Sequence, residues 1–233
     1  METFALLKAL SEAHGPSGCE QAVADLIQTW WTPYTDEIRI DAMGSLAALQ
    51  RGSAPAPRPA VMLAAHMDEI ALIVTGIEGE FLRVTSLSGM DRRIVLGLEV
   101  LVHGVRPLPG IVGTRPPHVL PPAERDKVLP WDKLFVDVGL PADELKKLVR
   151  VGDHVTMTGE LLELKNGLVA GKALDNRASV AVVTLALEKL RDRLHAWDVY
   201  AVATVQEEVG VKGAITSAYG LAPQLAVALD VTF

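Results

Sequence analysis

The sequence has four groups of His, Asp and Glu residues, placed at the ends of apolar segments or at the start of a predicted helix. In open α/β sheets, ligands bind beyond the carboxyl ends of the strands. The four groups are His66 with Asp68, Asp175, Glu207 with Glu208, and Asp230. One imidazole and several carboxylates form a donor set that suits Zn²⁺, Co²⁺ or Mn²⁺. Two such cations bridged by a carboxylate activate a water and polarise a carbonyl, so the pattern predicts a hydrolytic metal site.

His66 and Asp68 directly follow the apolar segment 61–65. Residues two apart on an extended segment face the same way, so Asp68 could orient the imidazole of a metal-bound His66. The alternative is a histidine at a strand end beside an unrelated aspartate. Asp175 stands at the start of a predicted helix, where a carboxylate is often only an N-cap. It could also bridge two cations.

Glu207 and Glu208 follow the apolar segment 199–205 and Gln206. Two adjacent carboxylates at the end of a buried strand repel each other unless a cation or a proton lies between them. A solvated loop is the alternative. Asp230 lies in a predicted strand over 225–231, where an acid is costly if it is buried and unpaired. Metal coordination or a salt bridge would explain it.

The elements that position these residues follow an α/β pattern in both halves of the chain. Ser17 and Glu20 fit a capping box, which predicts an amphipathic helix near 17–31. The remaining predicted elements of this part are two strands within 37–50 joined by a turn at Gly44, a strand at 61–65, a helix from Asp175 to about Arg193, a strand at 199–205, a helix at 213–219 and a strand at 225–231.

The middle of the chain is rich in Val, Leu, Gly and Pro and predicts a small β domain. Its candidate strands lie near 70–75, 80–86, 99–105, 110–114 and 153–158, with a short helix beginning at Pro141. Asn166-Gly167 predicts a hairpin turn where the α/β pattern returns. We therefore expect an α/β catalytic domain formed by residues 1–70 and 165–233, and an inserted β-rich domain over 71–164.

Composition narrows the class of protein. The chain has 233 residues and a formal net charge of −7, which argues against nucleic acid as a partner. Its one cysteine, Cys19, excludes a disulfide framework, and no apolar run is long enough for a membrane span. The N-terminus lacks the pattern of a signal peptide. We expect a cytoplasmic protein with no membrane partner.

The order of the motifs resembles the tetrahedral aminopeptidase family, which includes glutamyl and deblocking aminopeptidases. The segments that carry the resemblance are His66-Met67-Asp68-Glu69-Ile70, Asp175-Asn176-Arg177, Gln206-Glu207-Glu208-Val209-Gly210 and Leu229-Asp230-Val231-Thr232. Further similar segments are His14-Gly15-Pro16-Ser17-Gly18, Pro116-Pro117-His118 and Phe135-Val136-Asp137-Val138-Gly139. The resemblance covers nearly the whole chain.

The resemblance implies a role for each site residue. His66 and Asp230 would bind a first metal ion, Glu208 a second, and Asp175 would bridge the two. Glu207 would be the general base, and Asp68 would orient His66. The ions would be divalent, most often Zn²⁺ or Co²⁺.

The resemblance also implies a substrate class, a fold and an assembly. The substrates would be peptides with a free N-terminus. The fold would be a mixed-sheet α/β domain with helices on both faces and an inserted small β-barrel-like domain that dimerises. The assembly would be a homo-oligomer, from a dimer to a hollow dodecamer.

This sequence departs from the family in one respect. The second metal of the family has a further His ligand well beyond the position of Asp230, and this chain ends at Phe233. None of the remaining histidines stands at the matching place: His14, His103, His118, His154 and His195. We therefore expect a C-terminally shortened chain or a fragment.

Two other functions compete with the aminopeptidase. The first is a catalytically impaired relative that serves as an assembly or scaffold subunit, which the missing histidine would favour. The second is a glycosidase, which needs two carboxylates flanking a sugar bond, as Glu207 and Glu208 could formally supply. His66, Asp175 and Asp230 place that pair in a metal site instead, so the glycosidase ranks last.

Overall fold

The computed structural model describes residues 2–119, 121–122 and 127–232. The helices are α1 (Thr3–Glu12), α2 (Gln21–Trp31), α3 (Arg92–Val95), α4 (Ala142–Leu148), α5 (Leu174–Arg191) and α6 (Lys212–Leu221). The strands are β1 (Glu37–Ile40), β2 (Leu46–Gln50), β3 (Ala60–His66), β4 (Leu72–Glu78), β5 (Phe81–Ser86), β6 (Glu99–His103), β7 (Pro107–Thr114), β8 (Leu134–Asp137), β9 (His154–Met157), β10 (Leu162–Glu163), β11 (Val169–Ala170), β12 (Asp198–Thr204) and β13 (Leu225–Ala228).

The chain divides into two compact units, one formed by residues 1–69 and 160–233 and the other by residues 70–159. The first unit contains a five-stranded mixed sheet in the order β1-β2-β12-β3-β13. Strands β12 and β13 both run parallel to β3, whereas β2 is antiparallel to β12. The apolar segments 61–65 and 199–205 become neighbouring strands because continuous apolar runs suit strands that are covered on both faces.

Helices cover both faces of this sheet. On one face, α1, α2 and α5 bury a core that includes Leu6, Ile27, Trp31 and Val183. The indole Nε1 of Trp31 donates a hydrogen bond of 2.8 Å to Thr184 Oγ1, which joins α2 to α5. The smaller core on the other face is formed by Ala47, Met62, Ala64 and Val202 with two side chains of α6, Ala218 and Leu221. The predicted α/β class with a mixed sheet is therefore confirmed.

The second unit is a closed six-stranded barrel in the order β4-β5-β8-β7-β6-β9. Every neighbouring pair of these strands is antiparallel. The inward-facing side chains form a separate core, which includes Val74, Leu82, Val102, Val136 and Val155. The barrel-like insertion is confirmed, and β8 is a sixth strand that the sequence analysis did not include. The second boundary of this unit lies at 159/160 and not at the predicted 164/165.

Three predicted elements differ from the structure. Helix α2 begins at Gln21, and the Glu20 side chain makes no capping bond to it, so the capping box of Ser17 and Glu20 is wrong. Pro141 is the N-cap of α4 and not its first helical residue. Strand β13 ends at Ala228, so Asp230 lies beyond it, and it is exposed rather than set in a buried strand. Among the described residues, no helix is both long and apolar enough to cross a membrane.

Candidate metal centre

The parallel strands bring the predicted site residues to one edge of the mixed sheet. Strand β12 pairs with β3 so that Thr204 lies opposite His66, and β13 pairs with β3 so that Ala228 lies opposite Ala64. The residues that follow all three strands therefore emerge at the same edge. This register places Gln206–Glu208 and Asp230 beside the end of β3.

His66 is the buried centre of the cluster, with only 3% of its side chain exposed. Its Nε2 lies 3.0 Å from Asp175 Oδ1 and 3.8 Å from Glu207 Oε2. Its Nδ1 lies 3.2 Å from Asp68 Oδ1. The contact with Asp68 is close but is not aligned as a hydrogen bond, so we describe it as an ion-pair contact. Both ring nitrogens thus face carboxylates.

The surrounding charges perturb the acid–base properties of this cluster. Burial alone lowers the pKa of His66, but Asp68, Glu207 and Asp175 outweigh burial and raise the pKa to about 9. Burial, followed by the charges of Asp175, Asp68 and Glu207, raises the pKa of Glu208 to about 7. Excess negative charge at the site is therefore relieved only by taking up a cation or a proton.

Asp68 is fully buried and holds the cluster together. Its Oδ2 accepts hydrogen bonds from the Ser17 hydroxyl at 2.6 Å and the Glu208 backbone N–H at 3.1 Å. Its Oδ1 accepts one from the Glu207 backbone N–H at 3.0 Å. These bonds and the contact with His66 hold the pKa of Asp68 below its ordinary value, although burial acts in the opposite direction. Asp68 therefore stays ionised and links His66 to both glutamates.

A second link joins the start of α5 to the segment that follows β13. The Asn176 side-chain amide donates a hydrogen bond of 2.9 Å to the Leu229 carbonyl. The Leu229 N–H in turn donates to the Ala64 carbonyl of β3 at 2.8 Å. Asp175 and Asp230 are the sequence neighbours of these two residues, so the link brings both carboxylates to the His66 side chain. Asn176 belongs to the segment Asp175-Asn176-Arg177, but no role was predicted for it from the sequence.

The structure brings five of the six predicted site residues into two overlapping groups of possible metal ligands. One group is His66, Glu207 and Glu208, and the other is His66, Asp175 and Asp230. Within each group, one ligand atom per residue lies within 4.8 Å of the others. The sixth residue, Asp68, lies behind His66. In the part of the chain that the structure describes, His66 is the single imidazole of these groups.

The donor set fits a divalent cation, because it combines one imidazole with carboxylate oxygens. The placement of Asp68 on the far ring nitrogen of His66 fits as well, since metal-bound imidazoles are commonly oriented by a carboxylate on the other nitrogen. The raised pKa values of His66 and Glu208 indicate a place where positive charge is favoured.

Behind the cluster lies a buried charged group that the sequence analysis missed. Glu69 Oε2 lies 2.8 Å from Lys172 Nζ, and Glu69 Oε1 accepts the Gly15 N–H at 2.9 Å. The fully buried Arg177 donates to the carbonyls of Met67 and Leu10 at 2.5 and 2.7 Å. Each charge stands within two or three residues of His66 or Asp175, so the group ties the ends of β3 and α5 to α1. The sequence signal for this group was that its charged residues lie within a few positions of His66 or Asp175.

The chain is similar to known proteins along nearly its whole length. Residues 44–233 match the profile of a family described as M42 glutamyl aminopeptidase. The structure of a TET aminopeptidase from a marine-sediment archaeon of the Thaumarchaeota superposes with a TM-score of 0.93 at 35% identity, over 99% of this chain and 66% of that one. Lysyl aminopeptidase from Pyrococcus furiosus is 32% identical over 100% of this chain and 67% of its own length.

One similar protein is described by its assembly. The TET1 peptidase of Pyrococcus horikoshii can assemble into a tetrahedron or a large octahedral shell. It superposes with a TM-score of 0.87 at 33% identity, over 98% of this chain and 68% of that one. The chain spans 61% to 67% of the length of the curated relatives that it matches.

Proposed function

Since the chain belongs to the M42 glutamyl aminopeptidase family, we propose that it is a metal-dependent aminopeptidase that removes N-terminal residues from peptides. The observation that carries this proposal is the convergence of His66 with four carboxylates, all of them more than 100 residues away in sequence. The names of the relatives, aminopeptidases from archaea and bacteria, support the same reaction.

In this proposal, His66, Asp175 and Asp230 would hold one divalent ion, and Glu208, together with Asp175, would hold a second. The ions are Zn²⁺ or Co²⁺, which suit the mixed imidazole and carboxylate donors. When bound, they supply Lewis acidity, which lowers the pKa of a water and polarises the scissile carbonyl.

Glu207 is the proposed general base. Its side chain is 31% exposed and its Oε2 lies 3.8 Å from His66 Nε2, so the carboxylate borders the metal ligands and is open to substrate. It would accept a proton from the attacking water and later give that proton to the leaving amine. Asp68 acts on the opposite side of His66, where it fixes the ring and the backbone of Glu207.

Self-assembly and location are part of the same proposal. A homo-oligomer, between a dimer and a dodecamer, is supported by the shell that the P. horikoshii relative forms. The resemblance suggests that the barrel unit contributes a dimer contact, and chromatography with light scattering would measure the assembly. A cytoplasmic location agrees with the presence of only one cysteine, Cys19, in the sequence.

The substitution Glu207→Gln tests the proposed base. We expect turnover of a chromogenic amino-acid amide to fall by about 10²-fold or more, as is usual when a general base is lost, while Zn²⁺ and Co²⁺ still bind. Titration calorimetry measures the metal binding. Glu163→Gln, an exposed carboxylate on β10, is the matched control and should change neither property.

The outcomes separate the proposal from its rivals. Near-normal turnover by Glu207→Gln would remove Glu207 from the role of base. Absence of metal-dependent turnover in the parent chain at every Zn²⁺ and Co²⁺ concentration would favour the scaffold subunit instead. The intact carboxylate pair argues against a pure scaffold, because assembly alone does not require Glu207.

A further inference from the structure

The segment Ser17–Glu20 contacts the candidate site instead of capping the helix that follows it. Both Ser17 and Glu20 are buried, at 5% exposure each. The Ser17 hydroxyl donates to Asp68, and the Glu20 carboxylate makes no side-chain bond to α2. Instead, Glu20 Oε1 accepts the backbone N–H of Gly18 at 2.8 Å and of Gln206 at 3.0 Å. A side chain that resembles a local helix signal therefore contacts a loop 186 residues away.

The backbone of the loop that carries Glu207 and Glu208 is hydrogen-bonded to carboxylate side chains. Three consecutive N–H groups, those of Gln206, Glu207 and Glu208, donate to Glu20, Asp68 and Asp68 respectively. Hydrogen bonds from N–H groups to carboxylates are about twice as strong as neutral ones. These backbone N–H groups point towards Glu20 and Asp68, and the side chains of Glu207 and Glu208 lie among the groups around His66.

Gln206 adopts a backbone conformation that needs this support. Its φ is 54°, in the left-handed region that non-glycine residues adopt only at an energetic cost. Its part-buried N–H would lose its acceptor without Glu20, and the unpaired donor would carry a further cost. The backbone conformation at Gln206 therefore depends more directly on Glu20 than on any contact with the side chains of Glu207 and Glu208.

We propose that Glu20 is a positioning residue of the site, which fixes the backbone at Gln206 and thereby directs the carboxylates of Glu207 and Glu208 towards His66. Its effect on turnover rests on the proposed aminopeptidase function, whereas its effect on the loop does not. Ser17 and Asp68 complete the same support from the neighbouring side of the loop.

Three substitutions of Glu20 separate positioning from a general contribution to folding. Glu20→Gln keeps an oxygen acceptor of the same reach, and burial raises the pKa of Glu20, so a neutral side chain is tolerated there. Glu20→Asp keeps the charge and a good N-cap for α2 but is one methylene too short to reach Gln206. Glu20→Ala removes the acceptor. Asp25→Asn, an exposed carboxylate on the same helix, is the matched control.

The first readout is amide hydrogen exchange of Gln206 in the 233-residue chain, followed by NMR. We expect exchange about tenfold faster or more in Glu20→Asp and Glu20→Ala, the factor expected for a lost bond to a charged group. Asp25→Asn should stay near the parent rate, and Glu20→Gln should lie between the parent and Glu20→Asp, because it keeps the acceptor but loses the charge. Equal protection of Gln206 in all variants, or global unfolding of Glu20→Asp, would overturn the proposal.

The second readout compares the changes in kcat and in KM for the chromogenic substrate. Misplacement of the base and a ligand should lower kcat by about 10- to 100-fold in Glu20→Asp with KM nearly unchanged, and Glu20→Gln should recover most of kcat. A rise in KM alone would overturn the positioning role. If the parent chain shows no turnover, the aminopeptidase proposal fails, while the exchange rates of Gln206 still decide the role of Glu20.

Discussion

Removing divalent metal should make the stability of this protein fall as the pH rises. In the folded protein the pKa of His66 is raised from 6.5 to about 9, because Asp68, Glu207 and Asp175 outweigh the effect of burial. A folded-state pKa above the unfolded one means that the folded protein holds a proton which the unfolded chain has released. The stabilisation is fully present below pH 6.5 and is lost as the pH rises through about 9.

The size of the effect follows from the two pKa values. A difference between 6.5 and about 9 corresponds to about 3 kcal/mol of unfolding free energy. For a chain of this length that is about 6–12 °C in Tm. Glu208 acts in the same direction, since its pKa is raised from 4.5 to about 7, so the decline begins below neutral pH.

Circular dichroism melts of EDTA-treated protein between pH 5 and 9.5 would measure this slope. Adding Zn²⁺ or Co²⁺ should remove the decline, because a bound cation takes the place of the proton and its binding releases protons to the buffer. His66→Gln should flatten the decline between pH 6.5 and 9 in the metal-free protein. The exposed His118→Gln should leave it intact and serves as the matched control.

Two results would refute the reasoning. A metal-free Tm that is constant or rises between pH 6.5 and 9 would mean that the carboxylates do not hold a proton on His66. An unchanged decline in His66→Gln would place the titrating group elsewhere.

Two further predictions concern the structure around the site. Glu69→Ala leaves Lys172 buried without its carboxylate partner and should lower the free energy of unfolding in urea by about 3–5 kcal/mol. A second change, Lys172→Met, should recover part of that loss. No recovery would contradict the pairing. In α6, a Cβ on Gly213 would meet Val205 O at 2.5 Å, so Gly213→Ala should destabilise the folded protein by about 1–3 kcal/mol. Gly220 has no atom within 4 Å of such a Cβ, so Gly220→Ala should stabilise the folded protein by about 0.5–1 kcal/mol. Equal unfolding midpoints for the two alanine variants would contradict the close approach at Gly213.

Regular elements were predictable from the sequence wherever a single local rule decided them. Gly44 turns between β1 and β2 with a φ of 102°, as a turn glycine should. The two apolar segments that became β3 and β12 were identified to within one residue at each end. The barrel was predicted as β-rich, but β8 was missed because its residues Leu134–Asp137 form a run too short to stand out from the Pro-rich stretch before it.

Local rules failed where a distant partner competed for the same side chain. Ser17 and Glu20 have the spacing of a capping box, but Asp68 and Gln206 provide partners that are buried and better placed. Asp230 was predicted inside a strand because the apolar residues continue past Ala228. The hydrogen bond from Asn176 to the Leu229 carbonyl draws the chain towards the start of α5 instead.

The sequence by itself determined which chemistry is available: one histidine and five acidic residues, most of them at strand ends, in an order that resembles one family of hydrolases. It could do so because residue type and apolar periodicity are local properties. Only the tertiary structure decided that Nε2 of His66 lies 3.0 Å from Asp175 and that Asp68 supports both glutamates. Those distances depend on the parallel register of β3, β12 and β13 and on buried carboxylates from distant segments, and neither is encoded in the spacing along the chain.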